Sequence, residues 1–230
     1  SSLWRTCPLL EYMFDPSIGV LLDEQFTSYD AASTTGDYVA TQATAGTAAI
    51  DTSIPGTLKI AAASTTQHQG EQVQRLKTAI IPAANKSIWA EFNVQVTAVS
   101  PPVTKLEFFA GLAASDTTFY SSGAHSTNNR IGWHTQTAEN LAYTFGADKA
   151  GTNTTKTGGT FADATRVRLG FFYDGVADTL QQYINGVATG TAIATTHIPK
   201  VAIYPTLLCQ TDGTDSPILY VHGYRIFQLR

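Results

Sequence analysis

Paired carboxylates on one strand face, histidines at metal spacing, or a nucleophile on a strained turn would each mark a reactive site. The 230 residues contain acids and histidines but hold them apart. Glu91 is followed at two-residue steps by Asn93 and Gln95, and Glu107 by Phe109. Neither stretch supplies the two acids that hydrolysis across a glycosidic bond requires. Asp148, Asp163, Asp174 and Asp178 fall where loops or turns are expected, as solvated or turn-forming acids. His68, His125, His134, His197 and His222 are dispersed, without HxH or HExxH spacing. GxSxG, GxGxxG and Walker patterns are absent. Asp212 and Asp215, in "TDGTDS", are oxygen donors of the kind calcium favours. Two acids at that spacing are ordinary in turns, so no metal or other cofactor is expected. Cys7 and Cys209 belong to no CxxC or Cys/His cluster. Two unlinked thiols and one bridge pinning the N-terminal segment both remain open.

A sugar platform needs aromatic rings beside amide or carboxylate hydrogen-bonding groups. Trp133-His134, Phe119-Tyr120 and Asn128-Asn129 are the candidates. Trp and Tyr are also the rings that sandwiches bury, and core packing is the better reading for Trp89 and Trp133.

The elements that would position these residues alternate with period two. In "SIWAEFNVQVTAV", Ile88, Ala90, Phe92, Val94 and Val96 share one face, and Trp89, Glu91, Asn93, Gln95 and Thr97 the other. That is the pattern of a half-buried antiparallel strand. "KLEFFAGLA" and "VRLGFFYD" repeat it through Leu106, Phe108, Ala110 and Leu112, and through Val167, Leu169, Phe171 and Tyr173. "PILYVHGYRIFQL" is apolar on both faces in places, as a strand covered on both sides would be. Weaker strand patterns occupy much of the remainder, separated by turn clusters such as Pro55-Gly56, Gly158-Gly159, Asp174-Gly175 and Asn185-Gly186. No helical stripe persists beyond a turn or two, and no fixed repeat appears. About a dozen short strands at this spacing predict an all-β sandwich or barrel.

Charged residues are 14% of the chain, the net charge is −4 and the pI is near 5.7, which argues against a nucleic-acid footprint. No apolar run is long enough to span a bilayer as a helix. The stretch "SSLWRTCPLLEYMFDP" lacks the layout of a signal peptide. It carries Leu3, Trp4, Leu9, Leu10, Tyr12, Met13 and Phe14, interrupted by Pro8 and Pro16. So many large apolar groups need a surface, on this domain or on a neighbouring chain. Residues 1–20 are therefore expected to form an extended arm that contacts a partner, and residues 21–230 the sandwich. A second contact surface is expected at the polar loop 114–128, through an exposed Phe119 and Tyr120.

The succession "DEQF", "PGTLKIAA", "GEQVQRL", "SIWAEFNVQV", "FFAGLAASDTTF", "NRIGWHT", "VRLGFFYDG", "QQYINGVATGT" and "LYVHGYRIFQL" resembles the concanavalin A-like (laminin-G-like) jelly roll. The likeness covers roughly residues 22–230. It implies two packed antiparallel sheets preceded by the irregular N-terminal arm. "FFAGLAASDTTF" with "NNRIGWHT" is similar to the form of this fold in virion proteins of tailed bacteriophages. That narrower likeness implies a non-enzymatic capsid decoration or cement protein at the virion surface. It would bind the major capsid protein or another virion protein, as a homo-oligomer with trimers favoured. The alternative is a lectin-like glycan-binding domain of a tail fibre or adhesin. The Glu-x-Asp-x-Glu signature of the related glucanases is missing.

Overall fold

The computed structural model describes residues 2–31, 36–43, 45–62, 66–98, 105–117, 119–121, 124–125, 128–135, 141–213 and 215–230, without the side chains of 43, 98, 120, 121, 124, 125 and 195. In chain order the first strands are β1 (Gly19–Glu24), β2 (Tyr38–Ala43), β3 (Gly46–Ile50), β4 (Leu58–Ala62), β5 (Gly70–Arg75) and β6 (Ile88–Ala98). There follow β7 (Glu107–Ala113), β8 (Tyr120–Ser121), β9 (Ala124–His125), β10 (Arg130–His134), β11 (Ala142–Lys149) and β12 (Thr152–Thr160). The last are β13 (Arg166–Asp174), β14 (Thr179–Ile184), β15 (Val187–Ile193), β16 (Tyr204–Gln210) and β17 (Pro217–Leu229). A single helical turn and a half, α1 (Leu9–Phe14), precedes them between short 3-10 turns. Among the described residues no helix is long and apolar enough to cross a membrane.

Two antiparallel sheets face each other. One runs β15-β14-β13-β6-β17-β4-β3 with β1 added beside β17, and the other runs β12-β11-β10-β7-β16-β5-β2. The long β17 pairs with β6 on one side. On the other it shares its length between β4, through Ile218–Val221, and β1, through Tyr224–Leu229. The inward rows are those the alternation predicts. Ile88, Ala90, Phe92, Val94, Val96, Phe108, Ala110, Leu112, Leu169, Phe171 and Tyr173 all lie in the core. Each of the larger aliphatic and phenylalanine side chains contributes roughly 1.5–3 kcal/mol by leaving water. Trp133 is buried between the sheets, its Nε1 donating to Gly170 O at 3.2 Å. Trp89 is buried too, but on the outward face, in a separate cluster beneath the N-terminal arm.

Three local expectations change. Gly158 and Gly159 are not a turn but lie inside the edge strand β12. A Cβ on Gly158 would stand 2.5 Å from Tyr143 O, and one on Gly159 2.7 Å from the Tyr143 hydroxyl, so close packing explains both glycines. At 174–178 the positive φ falls on Asp178 (54°) rather than on Gly175. Asp174 closes that turn by accepting from the Val176 and Ala177 N–H groups. The arm is also not extended. It folds into short helical turns on its own sheet, with β1 starting at Gly19.

Candidate functional site

The outward face of the eight-stranded sheet changes character along its strands. Row by row, the register sets Leu21, Phe227, Trp89 and Phe172 side by side on β1, β17, β6 and β13. Two residues along lie Asp23, Arg225, Glu91 and Gly170. The next rows are Gly223, Asn93 and Arg168, and then Tyr220, Gln95 and Arg166. Apolar rings thus give way to acids, amides and guanidinium groups on the same four strands.

The N-terminal arm covers the apolar end. Leu3 is buried over Gly170, where a Cβ would lie 2.6 Å from Leu3 Cδ2. Only glycine leaves room there. The Leu3 N–H donates to Gly186 O at 3.3 Å, and Trp89 Nε1 donates to the Thr6 hydroxyl at 3.4 Å. Tyr12 meets Phe227 edge-on at 5.4 Å, and Trp4, Cys7 and Leu9 join the same cluster. Leu3, Trp4, Leu9 and Tyr12 therefore pack on their own chain. Leu10, Met13 and Phe14 point away, 66%, 77% and 84% exposed. Burial pushes the Cys7 thiol up to about 12, and Cys7 and Cys209 are both free. Cys209 sits in the sandwich core while Cys7 lies on the arm, packed against the outward face, so the two belong to different layers.

Where the arm ends, a groove opens. Three concavities share lining residues and so adjoin. One of about 190 Å³ is walled by Trp4, Asp23, Glu91, Asn93, His222 and Arg225. A second, of about 390 Å³, adds Ser2, Arg168 and Val187 to Trp4 and Glu91. A third, of about 360 Å³, lies between Asn93, His222, Arg166, Thr57 and Ile54. Trp4 forms the wall at the arm, with the Arg225 guanidinium 5.8 Å from its ring centre.

The charges in the groove are unequally engaged. Arg225 donates twice to Asp23 Oδ2, at 3.1 and 2.5 Å. Glu24 turns inward, accepting from the Tyr38 hydroxyl and the Phe26 N–H and pairing with Arg75. Glu91 has Arg168 Nη1 at 3.8 Å through Oε1, while its Oε2 is shielded from solvent and accepts no hydrogen bond. His222 contacts the Thr57 hydroxyl through Nδ1 at 3.0 Å and Gln95 Oε1 through Nε2 at 3.4 Å. Burial, and then the Arg166 charge, pushes this imidazole down to about 4. The ring is therefore neutral near pH 7, and because the Gln95 oxygen can only accept, the proton sits on Nε2.

Among the described residues, the centre of the opposite outward face, on the seven-stranded sheet, is covered. Gly132 is paired with Gly111 and with Gly146, leaving a furrow without side chains across three strands. The Phe109 ring lies in it, within 3.0 Å of where Cβ atoms on Gly111 and Gly132 would stand. Phe119 packs on Phe109 with the rings tilted and their centres 4.5 Å apart, and is itself buried. The expectation of an exposed Phe119 is thus corrected. Its segment is drawn down by Gln72, which donates to Asp116 O and accepts from Phe119 N, and by Gln74, which donates to Ala114 O and accepts from Asp116 N. The Tyr120 side chain lies outside the described residues. Asp148 is no loop acid either. It sits on β11, buried against Arg130 at 3.4 Å. Glu107, buried on β7, contacts His68 Nδ1 at 2.6 Å.

The anticipated sugar platform does not assemble. Trp133 is in the core, Phe119 is buried, and Asn128 donates to Asp116 Oδ2 at 2.6 Å. Asp212 accepts from the Gln67 amide at 2.5 Å and Asp215 from the Lys105 N–H at 3.1 Å. Among the described residues no three His, Cys, Asp or Glu side chains converge as metal donors. The groove that does form joins Trp4 to Glu91, Asn93 and Arg168. Its one legible signal was the outward row of β6, which runs Trp89, Glu91, Asn93, Gln95.

No family model matches the chain, and no curated protein matches it by sequence. Among solved structures it is similar to the lectin UEA-II complexed with galactose, at 13% identity over 92% of this chain and 99% of that one, with a TM-score of 0.63. It is also similar to Bacillus licheniformis β-glucanase, at 11% identity over 90% and 98%, TM-score 0.63. The carbohydrate recognition domain of Emp47p aligns at 10% identity over 93% and 98%, TM-score 0.62. These likenesses show the fold, the concanavalin A-like jelly roll of lectins and glucanases. They are shared by binding proteins and a hydrolase, and they lend no support to a virion setting.

Proposed function

We propose that the protein is a non-enzymatic, lectin-like carbohydrate-binding domain whose ligand lies in the groove of the eight-stranded sheet. One observation carries this reading: the open groove joins an aromatic wall, Trp4, to the Glu91 carboxylate, whose side chain is 15% exposed, and to the Asn93 amide. A pyranose presents apolar C–H groups on one face and hydroxyl donors at its rim, and these surfaces answer to both. The lectin complexed with galactose and the carbohydrate recognition domain among its structural neighbours support the reading through the shared fold. Hydrolysis would need a second carboxylate across the bond. Asp23 is held by Arg225, and Glu24 by Tyr38, Phe26 and Arg75. The test is a broad glycan array followed by titration of the best binder. Trp4→Ala and Glu91→Gln are each expected to weaken binding about tenfold, or about 1.4 kcal/mol, with no product formed. Unchanged affinity in both variants would remove the groove from the argument.

A second reading draws on Leu10, Met13 and Phe14, which stand exposed on one side of α1. In it the sandwich decorates a virion, and α1 docks on the major capsid protein or another virion protein, with the sandwich itself a homotrimer. Replacing all three by Ser should then abolish incorporation while the fold persists. Normal incorporation would reject that role for α1.

A further inference from the structure

We propose that the groove selects an acidic oligosaccharide, with the ligand carboxylate at Arg166 and a hydroxyl-bearing sugar ring between Trp4 and Glu91. This rests on the carbohydrate-binding reading and names the ligand class.

Of the three guanidinium groups along the groove, Arg225 is held by Asp23 and Arg168 faces Glu91. Arg168 also donates to Asn185 O. Arg166 is exposed, and among the described residues it pairs with no carboxylate. The concavity around it holds no acid. Its other polar groups are Gln25, Thr27, Thr57, Asn93 and His222. His222 is neutral there, so it supplies hydrogen bonds and leaves Arg166 as the single charge. A planar guanidinium with its donor edge free is a good seat for a carboxylate, which it can meet with two parallel hydrogen bonds.

The opposite end has the reverse polarity. The Glu91 carboxylate lines the groove there and can only accept, so it calls for a donor, which a sugar hydroxyl provides and a carboxylate does not. The two ends lie on one ladder. Arg166 pairs with Gln95 and Gly170 with Glu91, four residues apart along β13. At the usual rise per strand residue this is about 13 Å, the span of a short oligosaccharide and more than one ring covers. Asn93 and Arg168 lie between them. The arrangement therefore specifies direction: a neutral, hydroxyl-rich unit at the arm and an acidic unit toward Thr57. A polyphosphate chain fits poorly, because its charges would pass over Glu91 and Asp23. With a net charge of −4, attraction for an anion must be local rather than a property of the whole surface.

The experiment uses the full chain and an array of neutral, uronic-acid and sialylated oligosaccharides of matched length. The best acidic binder is then titrated beside its methyl ester, which keeps the shape and removes the charge. The acid should bind about tenfold tighter than the ester. Arg166→Gln should abolish that difference, bringing the acid's affinity down to that of the ester. Trp4→Ala should weaken acid and ester alike. Neutral glycans bound as well as acidic ones, or a preference that survives Arg166→Gln, would overturn the inference and leave the carbohydrate-binding reading in place. No binding to any glycan on the array would overturn both.

Discussion

On each sheet a glycine leaves room for an apolar side chain: Phe109 of β7, itself covered by Phe119 from the following segment, lies over Gly111 and Gly132, and Leu3 of the arm lies over Gly170. The two faces diverge beyond that point. On the seven-stranded sheet Gln72 and Gln74 bind the backbone of Ala114, Asp116 and Phe119, and the outward-facing Glu107, Arg130, His134 and Asp148 are all buried. On the eight-stranded sheet the arm stops at Trp4, and Glu91, Asn93, Arg168 and Arg166 line open space. A sheet face becomes a binding surface where the chain's own cover ends and polar side chains remain. By that criterion only the eight-stranded sheet qualifies among the described residues.

The sharpest way to break this contrast is to open the closed face. Phe119→Ala should cost about 3 kcal/mol, as large aromatic deletions do, read as a lower denaturation midpoint. Glycan affinity should not change. A variant that keeps its stability but loses the ligand would move the binding site to the seven-stranded sheet.

Leu3→Ala removes the anchor of the arm and should cost about 2 kcal/mol, felt locally. Hydrogen exchange should accelerate at the Leu3 and Tyr12 amides, which donate to Gly186 O and Pro8 O, while β6 and β17 remain protected. Because Trp4 is the neighbouring residue, ligand affinity should fall as well. Unaltered affinity would show that Trp4 is dispensable and that the groove begins at Glu91.

Much of the sandwich is legible in the sequence because burial imposes period two. Ile88 to Val96 read correctly, and Asn185-Gly186 takes the positive φ values, 52° and 78°, that its dipeptide suggests. β12 does not read as a strand. It is an edge strand with both faces largely in water, so nothing selects an apolar alternation in "TNTTKTGGT". Asp148 and Phe119 misread for a related reason: a residue on an outward face is buried only if a distant segment covers it. The groove was less legible still. Its members lie at positions 4, 23, 91, 168 and 225, and only the register of β1, β17, β6 and β13 brings them together. What the sequence does show is the outward row of β6, which identifies a polar surface without revealing which end of it is covered.

The two sheets should also respond to pH in opposite senses. Glu71, opposite Cys209 on β5, is buried, and burial pushes its carboxyl from 4.5 up to about 7. The fold keeps this acid protonated where the unfolded chain ionises it. Its contribution is therefore full below about pH 4.5 and is lost as pH rises through about 7. After allowance for screening by solvent, the loss should be about 1 kcal/mol. His222, on the open face, has the converse shift from 6.5 to about 4. The fold holds it neutral, so stability is full above pH 6.5 and declines as pH falls toward 4. The two slopes oppose each other between pH 4.5 and 6.5, so denaturant titrations of the variants separate them: Glu71→Gln should leave stability rising with pH and His222→Gln should leave it falling. A Glu71→Gln protein that still loses stability between pH 4.5 and 7 would place the responsible group elsewhere.

The smallest expected effect concerns the ion pair at the edge of the groove. Asp23 and Arg225 are well aligned but largely in solvent, and such pairs contribute about 0.5 kcal/mol. A double-mutant cycle with Asp23→Asn and Arg225→Gln should recover a coupling of that size, diminished by added salt. Arg225 also lies over the Trp4 ring, so the single Arg225→Gln change should exceed Asp23→Asn by the loss of that contact. Equal single effects would mean that the guanidinium serves Asp23 alone, and that Trp4 is held in the groove wall only by the packing of Leu3 beside it.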